Sequence, residues 1–178
     1  MTNYQRLVEK VLSLSENKSN LAMALDEWDI ILQYDEEGST CECGKEDITV
    51  CNRLENIHNG NILDPIGSVC IKKFGNQRLS DKVDDLTSKR KLLKSIYKTL
   101  KEGGVPSCST KSLKILMPCF DVWLKSANEK WFVKNHNFLN NVIGQRRFKS
   151  TEQKQHWKRI WEWNLKKPII NYIESRKF

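Results

Sequence analysis

The chain has 178 residues, 39% hydrophobic and 29% charged, enough for one domain with a real core or one domain with a small appended module. A formal net charge of +8 argues against a protein that works by displaying an acidic, DNA-like surface. There is no apolar run near ~18 residues and no secretory apolar core at the N-terminus, so no membrane span is expected. The charge is unevenly placed. Residues 1–40 carry three Lys/Arg against eight Asp/Glu, and residues 111–178 carry fifteen against five. An acidic front and a basic back suit contact with nucleic acid or an acidic protein face, and solvated helix faces are the plain alternative.

In chain order, Tyr4, Leu7, Val8, Val11 and Leu12 fall at helical spacing. Ser15–Asn20 breaks that stripe. A second helix is expected over about residues 21–34, with Leu21, Leu25, Trp28, Ile31 and Leu32 inward. Trp28 reads as core. Asp35-Glu36-Glu37-Gly38 then reads as a solvated turn rather than a pair of catalytic acids.

The most informative stretch runs from residue 41 to 75 and holds four of the six cysteines. In Cys41-Glu42-Cys43-Gly44 the glycine permits a tight turn that aims backbone amides at thiolate sulfur. Asn59-Gly60 is a hairpin signal, because both residues tolerate positive φ. Strands are expected over about 47–54 and 61–66. Ser68 is placed to cap a short helix with Cys70 in its first turn. Knuckle, hairpin and helix start together describe a treble-clef-like zinc site. Its ligands are Cys41, Cys43 and Cys70, since zinc takes four mostly thiolate or imidazole ligands in structural sites. Cys51, partway along the hairpin, is the favoured fourth. His58 at the tip is the alternative, roughly 20 Å away if the strand rises about 3.3 Å per residue, and Asp64 ranks third. Buried free thiols are the plainer reading of any one of these cysteines. Crowding at metal-like spacing, without a disulfide framework, fits a reducing cytosol.

After Gly75, Ser80 opens a helix with Leu86, Leu92, Leu93, Ile96, Tyr97 and Leu100 on its apolar face. Gly103-Gly104 stops it, which divides the chain into 1–103 and 104–178. Ser109 caps the next helix, where Pro118 predicts a kink or two short pieces. Cys108 and Cys119 lack ligand partners nearby and read as structural. Residues 128–148, with Trp131, Phe132, Phe138, Leu139, Val142 and Ile143, predict another helix ending near Gly144. Ser150-Thr151-Glu152-Gln153 is a capping-box pattern. The helix it opens carries Trp157, Ile160, Trp161 and Leu165 inward, with Trp163 off that face. Pro168 is expected to restart the chain into a last short helix. The fold expected is mainly α, a helical protein with one small zinc-bound β-hairpin.

The string Cys41-x-Cys43-Gly44-Lys45 … Asn59-Gly60-Asn61-x-Leu63-x-Pro65-Ile66-Gly67-Ser68-x-Cys70-Ile71-Lys72-Lys73-Phe74 resembles a motif of small phage and mobile-element proteins. In them an Ala-Leu-x-Glu-Trp segment often precedes it, as Ala24-Leu25-Asp26-Glu27-Trp28 does here. A basic, Gln-containing helical tail often follows, as in Arg146-Arg147-Phe148 … Gln153. Many carry His directly after C-x-C-G, where this chain has Lys45, so the resemblance hands over no fourth ligand. The whole chain is also similar to type II anti-CRISPR proteins of streptococcal phages. That likeness implies Cas9 as partner, interference with target-DNA recognition or loading, and residence in the host bacterial cytoplasm.

Three function classes follow. The first is a non-enzymatic inhibitor with a structural Zn2+. The second is a nucleic-acid-binding accessory protein, whose contacts would be Arg146, Arg147, Lys149, Lys154, Lys158 and Arg159, interleaved with Phe148 and Trp157. The third is a zinc enzyme with an open coordination position. The sequence lacks H-E-x-x-H, H-x-E … C-x-x-C, P-loop and G-x-S-x-G patterns, and His136 and His156 read as isolated surface residues.

Overall fold

The computed structural model describes residues 1–127 and 132–175, so Trp131 lies outside the described residues. The fold is mainly helical with one small antiparallel sheet. Two compact units emerge, Met1–Ser88 and a second beginning at Lys89, with the division inside helix α4 (Gln77–Lys101). Gly103-Gly104, where the sequence suggested a boundary, follows the end of that helix. Among the described residues no helix is long and apolar enough to cross a membrane.

In the first unit, α1 (Asn3–Leu14) starts from Thr2, which forms a reciprocal capping box with Gln5. It buries Leu7 and Val11 of its expected stripe. Helix α2 (Leu21–Asp26) is far shorter than the helix expected over 21–34. Trp28–Ser39 is instead strand β1, so the unit holds a three-stranded sheet in the order β1-β2-β3, not a lone hairpin. The reason is pairing. Trp28, Ile30, Ile31 and Tyr34 are aromatic or β-branched, and β2 (Ile48–Asn56) offers a long antiparallel partner. Strand alternation from buried Trp28 and Ile30 puts Ile31 outward, 47% exposed, where the helical reading had it inward, and a register shift follows between Ile30 and Leu32.

Strand β3 (Ile62–Gly67) pairs with β2 and leads straight into α3 (Ser68–Lys73). The Asn59-Gly60 pair does not make a two-residue hairpin. The connection runs from Ile57 to Asn61, and only Gly60 takes positive φ (74°) there. Its two asparagines do a second job, because the Asn59 and Asn61 amides both donate to the Leu14 carbonyl, at 3.0 and 2.8 Å. They satisfy an orphan acceptor at the end of α1. The start of α4 is fastened to the sheet by Lys82 and Arg78 on Asp29, at 2.6 and 3.4 Å, and by Arg78 on the Trp28 carbonyl at 2.6 Å. Asn76, not Ser80, caps it, through the Leu79 N–H.

In the second unit the end of α4 packs with a 3-10 turn (Lys111–Leu116), α5 (Met117–Ala127), α6 (Phe132–Val142), α7 (Thr151–Arg159) and α8 (Lys166–Ser175). The 3-10 turn and α5 are the two short pieces expected, and Pro118 sits in the first turn of α5, where its missing N–H forfeits no helix hydrogen bond. Ser150 caps α7 through the Gln153 N–H. Pro168 does not restart the chain. A π-helical turn (Ile160–Leu165) joins α7 to α8 without a break and precedes the proline. The core is aromatic. Trp157 and Trp161 are both buried, and Phe120 meets Trp161 edge-on at 5.6 Å between centroids.

Candidate metal centre

Residues 41–45 form the expected knuckle. The Cys41 N–H donates to the Lys45 carbonyl at 2.8 Å and the Gly44 N–H to the Cys41 carbonyl at 2.7 Å. Gly44 has φ 87° and lies against the Arg6 guanidinium of α1, which would meet a Cβ placed there. The positive φ is what favours glycine here, since the exposed Arg6 side chain could swing aside. The Glu42 N–H donates to the Pro65 carbonyl at 2.9 Å, so the knuckle is stitched to β3. Across this seam α3 presents Cys70. Ser68 does not cap it; its hydroxyl accepts from the Asn52 amide at 3.1 Å.

The sulfurs of Cys41, Cys43 and Cys70 converge, all within 4.8 Å of one another and all buried. Cys43 and Cys70 are 3.4 Å apart, too far for a disulfide. Neighbouring sulfurs around a tetrahedral zinc with Zn–S near 2.3 Å lie about 3.8 Å apart. Three buried thiols at that spacing can hold a metal ion. The donor set suits it, and so does the backbone, since the Gly67 N–H points at the Cys41 sulfur from 3.3 Å. The electrostatics agree. A hydrogen bond from the Cys70 thiol pulls Cys41 down to about 5 against the opposing effect of burial, and the Cys43 and Gly67 N–H groups help. The same bond to Cys41, together with burial, pushes the Cys70 thiol up. A small cleft bordered by Asn3, Tyr4, Lys45 and Lys73 reaches Cys43 and Cys70.

The other ligand candidates do not join the group. Cys51 is buried on β2 opposite Tyr34 and Gly67, one strand across from the amide that faces Cys41. Burial pushes its thiol up, with the Ser39 hydroxyl opposing. His58 sits beside Glu16 at 3.5 Å. Asp64 is engaged by the Tyr34 hydroxyl and Arg53, both at 2.6 Å.

Sequence reasoning missed Glu27, the buried carboxylate of the Ala-Leu-x-Glu-Trp segment. It accepts from the Glu16 and Asn17 N–H groups and the Asn56 amide, at 2.7, 2.8 and 2.7 Å. Beside it the Trp28 Nε1–H donates to the Ser15 hydroxyl at 2.8 Å. The only signal in the sequence was an acid next to a core tryptophan.

Arg146, Arg147, Lys149, Lys154, Lys158 and Arg159 are all exposed, and Lys158 faces Glu162 at 3.6 Å. Trp157 cannot stack on a base, being buried with its Nε1–H on the Pro106 carbonyl and Phe148 against its ring. His136 is not isolated; it links Asp121 and Asn140. No protein-family model matches the chain, and no curated protein or solved structure matches it.

Proposed function

We propose that Cys41, Cys43 and Cys70 hold a zinc ion that pins the knuckle, β3 and α3 into one treble-clef-like body, and that the protein is a non-enzymatic, phage-encoded inhibitor acting by contact. The observation that carries the metal half is the convergence of three buried thiols from two separated segments. Thiolate ligands at this spacing bind zinc in preference to harder cations. The ion would supply cross-linking: it joins residues 41–43 to residue 70 in a unit with a small core.

The inhibitory half rests on the likeness of the whole chain to type II anti-CRISPR proteins of streptococcal phages; the C-x-C-G … PIGS-x-CIKKF string points only to small phage and mobile-element proteins. Cas9 is the partner this reading names, and target-DNA recognition or loading the step blocked, in the host bacterial cytoplasm. The net charge of +8 favours occupation of an effector domain over mimicry of DNA. Two measurements test the halves separately. Purified protein should contain stoichiometric zinc, and Cys41→Ser should lose it; zinc-free native protein would end the metal reading. The zinc-loaded protein should co-elute with Cas9 and suppress target cleavage. Full cleavage at saturating protein would end the inhibitor reading and leave the metal centre standing.

A further inference from the structure

The second unit carries a groove of about 520 Å³, within the size range of small-ligand sites. Lys134 and Asn135 of α6, His156 and Arg159 of α7, and Trp163 and Asn164 of the π-helical turn line it. The wide turn shapes this wall. Ile160, Trp161 and Leu165 stay buried in the core while Trp163 is left 75% exposed. One exposed indole is ordinary on a protein surface. Here it borders two cations, two carboxamides and an imidazole.

His156 is held in place, with Phe138 edge-on to its ring at 4.4 Å. Burial, then the charges of Arg159 and Lys134, hold its pKa below the ordinary value, so the ring is neutral and both cations act on this spot. Its Nε2 is buried and has no hydrogen-bond partner. In either tautomer that atom is an unmet polar demand.

We propose that this groove binds one nucleotide of a single nucleic-acid strand, with the base stacked on Trp163, the carboxamides of Asn135 and Asn164 meeting its edge, and the phosphate against Arg159 and Lys134. The combination selects the ligand. An acidic peptide would use the cations and leave the indole and carboxamides idle. A duplex hides its base faces, whereas a single strand presents them. Exposed Arg146, Arg147, Lys149 and Lys154 on the same unit add positive charge that draws further phosphates. This inference does not depend on zinc or on Cas9.

The test uses the full-length protein and fluorescein-labelled oligothymidylate in an anisotropy titration at several salt concentrations. Binding is expected at low salt, with log affinity falling linearly in log salt. Trp163→Ala should weaken it by about 5- to 100-fold, and Trp163→Phe should recover most of the loss. Arg159→Gln should weaken it too and reduce the salt slope by about one. Circular dichroism checks that these surface variants stay folded. The proposal is overturned by no binding at low salt, by equal affinity of Trp163→Ala and wild type, by tighter binding of a duplex of equal length, or by hexaglutamate competing as well as the oligonucleotide.

Discussion

Residues 1–88 surround a three-stranded sheet with Leu, Ile and a single buried Trp, and tie their loops with buried polar side chains: Ser15, Glu27, Gln33, Asn52 and Asn56. The unit that begins at Lys89 buries Phe120, Trp157 and Trp161 along one contact chain and has only Arg90 and Asn135 as buried polar residues among those described. The first unit is held by directed bonds around a cluster of three thiols, the second by aromatic area. Large rings bury much apolar surface per residue, so helices packed on them need few directed contacts. Six-residue helices such as α2 and α3 have no such reserve, and their placement calls for hydrogen bonds or a metal.

Metal removal is the strongest way to break this contrast. Chelation, or Cys43→Ser, should destabilise the first unit by about 4 kcal/mol or more, because ligand binding and local folding are coupled. Amide resonances of residues 28–75 should lose dispersion while those of the second unit stay in place. Loss across both units together would show that the two do not stand on different supports. The mirror experiment is Trp161→Ala, which removes a fully buried ring and should cost about 3–5 kcal/mol in the second unit, independent of chelator. A chelator-dependent cost would collapse the distinction.

The same contrast explains which parts were legible in the sequence. Periodicity revealed α1 and the Trp157/Trp161 core face, because both follow one helical repeat. The cysteine spacing placed three thiols correctly, because the knuckle and the first turn of α3 are set by local residues such as Gly44. β1 was hidden. Trp28, Ile31 and Leu32 fit a helical stripe as well as a strand, and only the partner β2 decides between them. Glu27 was hidden for the same reason, since the groups it binds stand at residues 16, 17 and 56. Cys51 was chosen by distance along a strand. The sheet puts it across from Gly67, outside the trio that can share one ion.

Cys51 gives a sharper, smaller test. Cys51→Ala should cost about 1 kcal/mol of packing yet leave zinc stoichiometric. X-ray absorption of the zinc-loaded wild type should give three sulfurs at about 2.3 Å with a lighter fourth atom. Four sulfurs, with zinc lost in Cys51→Ala, would return Cys51 to the ligand set.

The finest test concerns Glu27, which fastens the segment after α1 to the end of β2. Burial pushes this carboxyl up, but the Asn17 N–H, the Asn56 amide and the Glu16 N–H outweigh it and hold the group below its ordinary 4.5. A carboxyl depressed in the folded state stabilises the fold above its unfolded pKa. That contribution fades as pH falls below about 4.5 toward the folded value. Glu27→Gln keeps the shape and removes the charge, so urea unfolding should find it less stable than wild type near neutral pH. The gap should narrow as both chains are acidified below pH 4.5. Acid would also protonate the thiols and release the proposed zinc, but it would do so in both chains and largely cancel in the difference. A gap that stays constant through that window would mean that Glu27 acts by shape alone, and that the polar ties of the first unit owe nothing to charge.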